Sequence, residues 1–243
     1  MSKGFNSVKL KALVFFARDG VRSLGSRLRG KSSRRHAAWE YVQVHATRGD
    51  AASILSCLDE FGRNHRFLMN VGDEKGPLLL GQLAAAGPDP QVLELGGYVG
   101  YSAILLGSAL TGSGTLISLE KDPVSVDIAT KMIGFAGLSE RVEVRCGDSA
   151  ELITELTGPF DLVFLDHWKD LYQRDLQLLE EHQLLRQGSI IFADNVGPMF
   201  NPEKYLAYVR ECGRFDTRYE SGHIEYSSIE DGVEISVYSP DRS

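Results

Sequence analysis

Cysteine is scarce in this chain of 243 residues: Cys57, Cys146 and Cys212 are three in number and far apart. Neither a disulfide framework nor a cysteine-based zinc site can be built from that set, and unpaired thiols fit a reducing, cytoplasmic setting. Long apolar runs are lacking too. The longest in the N-terminal segment, Ala12 to Ala17, falls far short of the roughly 20 residues a membrane span needs. Beyond residue 36 positive charge is in short supply, with sixteen Lys or Arg against thirty-two acids, a balance of −16. A body so acidic is a poor surface for DNA or RNA, so no nucleic-acid partner is expected. Neither internal repeats nor low-complexity stretches interrupt it, which sets solenoids aside.

What is present is an ordinary globular composition, 43% apolar and 24% charged, in a length suited to one α/β domain. Residues 1 to 36 form a contrasting basic tail with ten Lys or Arg and one acid. A stripe of Leu10, Leu13, Val14, Ala17, Val21, Leu24 and Leu28 runs among its basic residues, weakened as a helix by Gly20 and Gly25. Three readings stay open for it: a solvated arm, a peripheral segment lying on an anionic membrane surface, and a targeting peptide. The run Gly30-Lys-Ser-Ser-Arg-Arg reads as a linker, which puts the domain at 37 to 243.

Within that domain, Gln-Val-Leu-Glu-Leu at 91 to 95 reads as a buried strand entering a glycine turn, Gly96, Gly97 and Gly100, ahead of a helical pattern. Such turns serve NAD enzymes, flavoproteins and purely structural connections as well. Two details favour S-adenosylmethionine: the turn is not G-x-G-x-x-G, and Glu94 sits inside the strand where it could meet a cationic ligand. Glu120, closing the next strand, lies where a carboxylate usually holds a ribose diol.

Upstream, the pattern predicts helices over 37–46 and after Asp50, a good N-cap, then a loop over 67–76 and a helix over 77–86. Strands are expected at 91–95, 115–120, 141–145, 160–165 and 189–193, alternating with helices, then at 215–221 and 233–238 with no helix between. The fold class that follows is α/β: a doubly wound, mainly parallel, Rossmann-like sheet of seven strands ending in an antiparallel pair.

Ligands of such sheets collect beyond the carboxyl ends of the strands. There the sequence places Asp166, after Leu-Val-Phe-Leu, and Asp194 with Asn195, after Ile-Ile-Phe-Ala. Two carboxylates and an amide carbonyl suit a hard cation that keeps some water, magnesium rather than zinc. The competing reading is that the two acids merely cap helices. Lys169 lies three residues past Asp166, within reach of a substrate oxygen, whereas His167 and Trp168 fit packing or an adenine pocket better than a metal shell.

Four segments together, Asp-His-Trp-Lys-Asp at 166 to 170, Met-Asn-Val-Gly-Asp at 69 to 73, Leu-Glu-Leu-Gly-x-Tyr-x-Gly-Tyr-Ser at 93 to 102 and Ala-Asp-Asn-Val at 193 to 196, resemble the catechol O-methyltransferase family, from about Trp39 to Tyr238. The resemblance implies a class I S-adenosylmethionine-dependent methyltransferase fold and magnesium-dependent methyl transfer to one hydroxyl of a small catechol, such as a catecholamine or catechol estrogen. It implies that Met69, Val71, Glu94, Gly96, Tyr98, Ser102, Glu120, Ser149, Asp166, His167 and Trp168 hold the methyl donor. Asp166, Asp194 and Asn195 would carry Mg(II), Lys169 would be the general base, and Lys169, Asn195 and Glu225 would meet the substrate, Glu225 at its second hydroxyl. A monomer is expected. The chain departs from the family pattern at Phe67, where a gating tryptophan is usual, and at Lys121, Ala150 and Gly197-Pro-Met-Phe-Asn201. Alternatives are a different vicinal phenol, caffeoyl-like, and a catalytically vestigial binding or trafficking protein.

Overall fold

The computed structural model describes residues 33–240. Most of the basic tail, and with it the three readings made for it, lies outside them. Among the described residues no helix is long and apolar enough to cross a membrane.

Three helices precede the sheet: α1 (Arg34–His45), α2 (Ala51–Asn64) and α3 (Gly72–Ala85). Asp50 caps α2 as expected, its carboxylate accepting from the Ser53 amide at 3.1 Å. The third helix departs from expectation. It starts five residues before Pro77, so 72–76 are helical rather than looped. Proline there costs one backbone hydrogen bond. In exchange the early start turns Lys75 inward, onto buried acids.

The remainder alternates: β1 (Gln91–Leu95), α4 (Tyr101–Ala109), β2 (Thr115–Glu120), α5 (Pro123–Ala136), β3 (Val142–Cys146), α6 (Ser149–Ile153), β4 (Phe160–Leu165), α7 (Tyr172–Glu181), β5 (Leu185–Ala193), α8 (Glu203–Glu211), β6 (Phe215–His223) and β7 (Glu230–Tyr238). The seven strands lie in the order β3-β2-β1-β4-β5-β7-β6. The first five are parallel, and β7 runs antiparallel to both β5 and β6. β5 begins four residues earlier than its apolar run suggests, because Leu185 pairs with Phe160 across a register irregularity.

Alternate residues of β4 feed two cores. Leu162 and Phe164 pack with α1 to α5 on one face, while Val163 and Leu165 pack with α6 to α8 on the other. That two-sided burial explains why the central strands read as unbroken apolar runs. The order in which strands are added reverses between β1 and β4, and the crevice beyond their carboxyl ends is where such sheets bind ligands.

Candidate active site

One cavity of about 690 Å³ opens at that crevice. One wall comes from the loops after β1, β2 and β3 and includes Gly96, Tyr98, Glu120 and Ser149. Its other wall comes from the loops after β4 and β5 and the β6–β7 turn, and includes Asp166, His167, Trp168, Lys169, Asn195 and Glu225, with Met69 also on the lining. Of the residues expected from the sequence, Val71, Glu94, Ser102 and Asp194 do not line the cavity; all four are buried behind it.

Gly96 is required by shape. Its φ is +105°, and a Cβ there would sit 2.5 Å from the Asp166 carbonyl oxygen, so a side chain would both strain the backbone and close the crevice. Beyond it Glu120 accepts from the Tyr98 amide at 2.9 Å and from the Asp122 amide at 2.8 Å, which fixes the carboxylate at the rim. Ser149 donates to Asp175 at 2.6 Å, and His167 Nε2 meets the same carboxylate at 2.7 Å. His167 Nε2 is thereby directed to Asp175 rather than to the acids after β4 and β5. Its Nδ1 is buried without a hydrogen-bond partner. Burial would raise the Asp175 carboxyl, but its hydrogen bonds from His167, Arg174 and Ser149 outweigh that and hold it below the usual range.

Glu94 is fully buried and takes hydroxyl hydrogen bonds from Ser102 and Ser118. Burial pushes its pKa up to about 7 despite them. A carboxyl whose folded pKa lies above its unfolded value, about 4.3, gives stability that is complete below that value and lost as pH rises through 7. Glu94→Gln removes the titration. In urea unfolding of the ligand-free protein, the variant should therefore gain on the parent by about 3 kcal/mol between pH 4.5 and pH 8. A stability difference that does not change across that range would refute the buried charge.

The acids after β4 and β5 emerge side by side, because Leu165 pairs with Ala193. Neither caps a helix. Asp166 accepts from Lys169 Nζ at 3.0 Å, while Asp194 Oδ1 accepts from the Asn195 amide at 2.7 Å and from Lys75 Nζ at 2.6 Å. Asp194 Oδ2 is buried with no hydrogen-bond partner, an expensive state for a carboxylate oxygen unless something positive fills it. Asn195, at a left-handed φ of +54°, donates its amide to Asp231 at 2.8 Å, which leaves its carbonyl as the atom for a cation.

Lys75 and Asp231 are what the sequence reading missed. Lys75 is 1% exposed and pairs with Asp194 and with Asp231, the latter at 2.9 Å. Burial alone would lower its pKa, yet the charges of Asp194, Glu225 and Asp231 outweigh that and hold it above the ordinary range. Glu225 is shifted upward as well: burial raises its carboxyl to about 8 against the pull of Lys75. Among the described residues no three His, Cys, Asp or Glu side chains converge as a complete cage. Two carboxylates and one amide, with an orphan oxygen between them, instead fit a cation that keeps open positions for water or substrate.

Lys169 Nζ also donates to the Tyr172 hydroxyl at 2.8 Å and lies 5.1 Å from that ring and 5.9 Å from the Phe200 ring. Tyr172 is anchored in turn, sharing its hydroxyl hydrogen between the Leu165 carbonyl at 2.7 Å and the Asp194 carbonyl at 3.0 Å. Around the mouth stand Trp168 at 72% exposure, Met69 at 55% and Phe200, with Phe67, Met199 and Ile224 deeper in the wall. The tryptophan donates to Asp170 at 3.2 Å rather than packing inward.

Comparison with known proteins shows the family. The O-methyltransferase family model matches residues 46–204. A catechol O-methyltransferase of Danio rerio is 41% identical over 213 residues, 86% of this chain and 80% of that one, and a catechol O-methyltransferase of Mus musculus is 40% identical over 82% and 76%. A solved O-methyltransferase of Streptomyces achromogenes, in complex with SAM, shares the fold at a TM-score of 0.67 and 20% identity, over 82% of this chain and 94% of that one. The chain is an enzyme of the O-methyltransferase family, in the group that contains the catechol O-methyltransferases.

Proposed function

We propose that the protein transfers a methyl group from S-adenosylmethionine to one hydroxyl of a catechol, with Mg(II) held by Asp166, Asp194 and Asn195. The observation that carries this reading is the meeting of Lys169, Asp166, Asn195 and Glu225 on one cavity whose opposite wall is the glycine turn and Glu120. Magnesium bound there would supply the charge that makes a vicinal diphenol easier to ionise and holds its two oxygens in place.

The chain's own groups would do the rest. Lys169 Nζ, held by its hydrogen bonds to Asp166 and to the Tyr172 hydroxyl, would be the group that takes the phenol proton. Glu225, protonated by burial near neutral pH, would hold the second hydroxyl. Glu120 would hold the ribose diol of the donor, and Gly96, Tyr98, Ser149, His167, Trp168 and Met69 would enclose it, with Val71, Glu94 and Ser102 supporting that wall from behind. Phenolate and sulfonium methyl held in line at near-attack distance can account for roughly 7 to 11 kcal/mol of the barrier.

The test is methyl transfer to a simple catechol, with and without magnesium, beside a monophenol. Transfer to the catechol alone, and only with the metal, is the expected result. Donor binding with no transfer to the catechol would sink the reading and favour a vestigial or differently directed enzyme.

A further inference from the structure

A second buried polar cluster lies outside the residues assigned above. Asp59 of α2 accepts hydroxyl hydrogen bonds from Tyr226, at 2.8 Å on Oδ1, and from Tyr101, at 3.2 Å on Oδ2. Asn70 donates to the Tyr226 hydroxyl at 3.3 Å. The three partners of this cluster are each next in sequence to a residue of the site. Tyr226 follows Glu225, Tyr101 precedes Ser102, and Asn70 stands between Met69 and Val71.

We propose that Asp59 and Tyr226 are positioning residues for the acceptor end of the site: by anchoring the β6–β7 turn to α2 they set where the Glu225 carboxyl lies, and with it which hydroxyl of an unsymmetrical catechol faces the methyl donor. The inference rests on the function proposed above.

Three features show that the contact is built. Tyr226 adopts φ +57°, a left-handed conformation that a bulky residue rarely takes unless its surroundings impose it. Its ring lies over Gly62, where a Cβ would come within 2.4 Å of the ring edge, so α2 carries its glycine at the one place the tyrosine crosses it. Arg63 covers the ring from 5.2 Å and is itself paired with Asp73. Clearance, cover and a buried acceptor thus converge on one side chain. Burial raises the Asp59 carboxyl, against the two tyrosine hydrogen bonds, so these bonds matter to an acid that has little water to turn to.

The test compares Tyr226→Phe with Tyr101→Phe. Each removes one hydroxyl from the same carboxylate, one on the acceptor side and one on the donor side. Methylation of a catechol with a single ring substituent is followed by KM, kcat, donor Kd and the ratio of the two monomethyl products, with unfolding midpoints as the control. In Tyr226→Phe the KM for the catechol should rise about tenfold and the product ratio should fall toward unity, with donor Kd unchanged within twofold. Tyr101→Phe should leave the product ratio as it is. A Tyr226→Phe enzyme that loses thermal stability but keeps parental KM and product ratio would overturn the inference and reduce the contact to a structural one. Equal shifts of the ratio in both variants would overturn it too, since the effect would then belong to the carboxylate's folding role. A parent that does not methylate the catechol at all would sink the proposed function and this inference with it, whereas an active parent with an unaltered Tyr226→Phe would sink the inference alone.

Discussion

Asp194→Ala should lower methyl transfer by about a thousandfold or more, the equivalent of some 4 kcal/mol of lost barrier reduction, and should make the residue of activity indifferent to magnesium. The side chain stands at the junction of two networks. Its Oδ1 joins Lys75 and the Asn195 amide, and its Oδ2 is the orphan buried oxygen that a cation would meet. Removing it therefore takes away a ligand atom and unfixes Asn195 together. Lys75 keeps Asp231, so the fold should weaken by less than the 3 to 5 kcal/mol typical when a buried charge loses its sole partner. Activity assays should be run beside unfolding curves and donor titrations. Parental activity in the variant, or parental enzyme that works at full rate in a chelator, would remove the metal from the mechanism.

Lys169→Ala should cut kcat by roughly 10² to 10⁴ while donor Kd changes less than threefold. Gly96, Tyr98, Glu120 and Ser149 come from other strands' loops, and the lysine's hydrogen bonds go to Asp166 and Tyr172. Tyr172 is held independently by two backbone carbonyls, so the local frame should survive the truncation. The informative control is Lys169→Met, which keeps the stem's packing near Phe200 and lacks only the amine. If either variant retained parental turnover, the proton would have to leave by another group.

How much of this was legible in the sequence follows from where each residue sits. Strand ends were easy to find because an apolar, β-rich run broke off at an acid, as in Leu-Val-Phe-Leu before Asp166 and Ile-Ile-Phe-Ala before Asp194. Parallel pairing then brings those two acids together with no further information. Lys75 was hidden because a lysine beside Asp73 and Glu74 reads as a solvated helix face. The available signal was its spacing: Lys75, Leu79 and Leu83 fall at i, i+4 and i+8, and all three are buried, so the lysine heads a core stripe. Asp175 sits likewise in the stripe of Tyr172, Leu176 and Leu179. Asp231, in Glu-Asp-Gly, looks like a turn residue and is in fact inside β7, paired with Lys75. The start of α3 is hidden in the sequence for a related reason. Pro77 is a strong local stop, but burying a charged network overrode it.

The reversal between β1 and β4 divides the molecule's labour along a single seam. Most of what is assigned to the methyl donor hangs from β1, β2 and β3, with His167 and Trp168 reaching over from the loop after β4, and what would choose the acceptor hangs from β4, β5 and the β6–β7 turn, apart from the few residues between α2 and α3. Substitutions such as Phe67, Met199 and Phe200 can therefore accumulate on one bank while the other goes on presenting the same reactive methyl. An enzyme built this way is free to change its diet across generations without first having to relearn its chemistry.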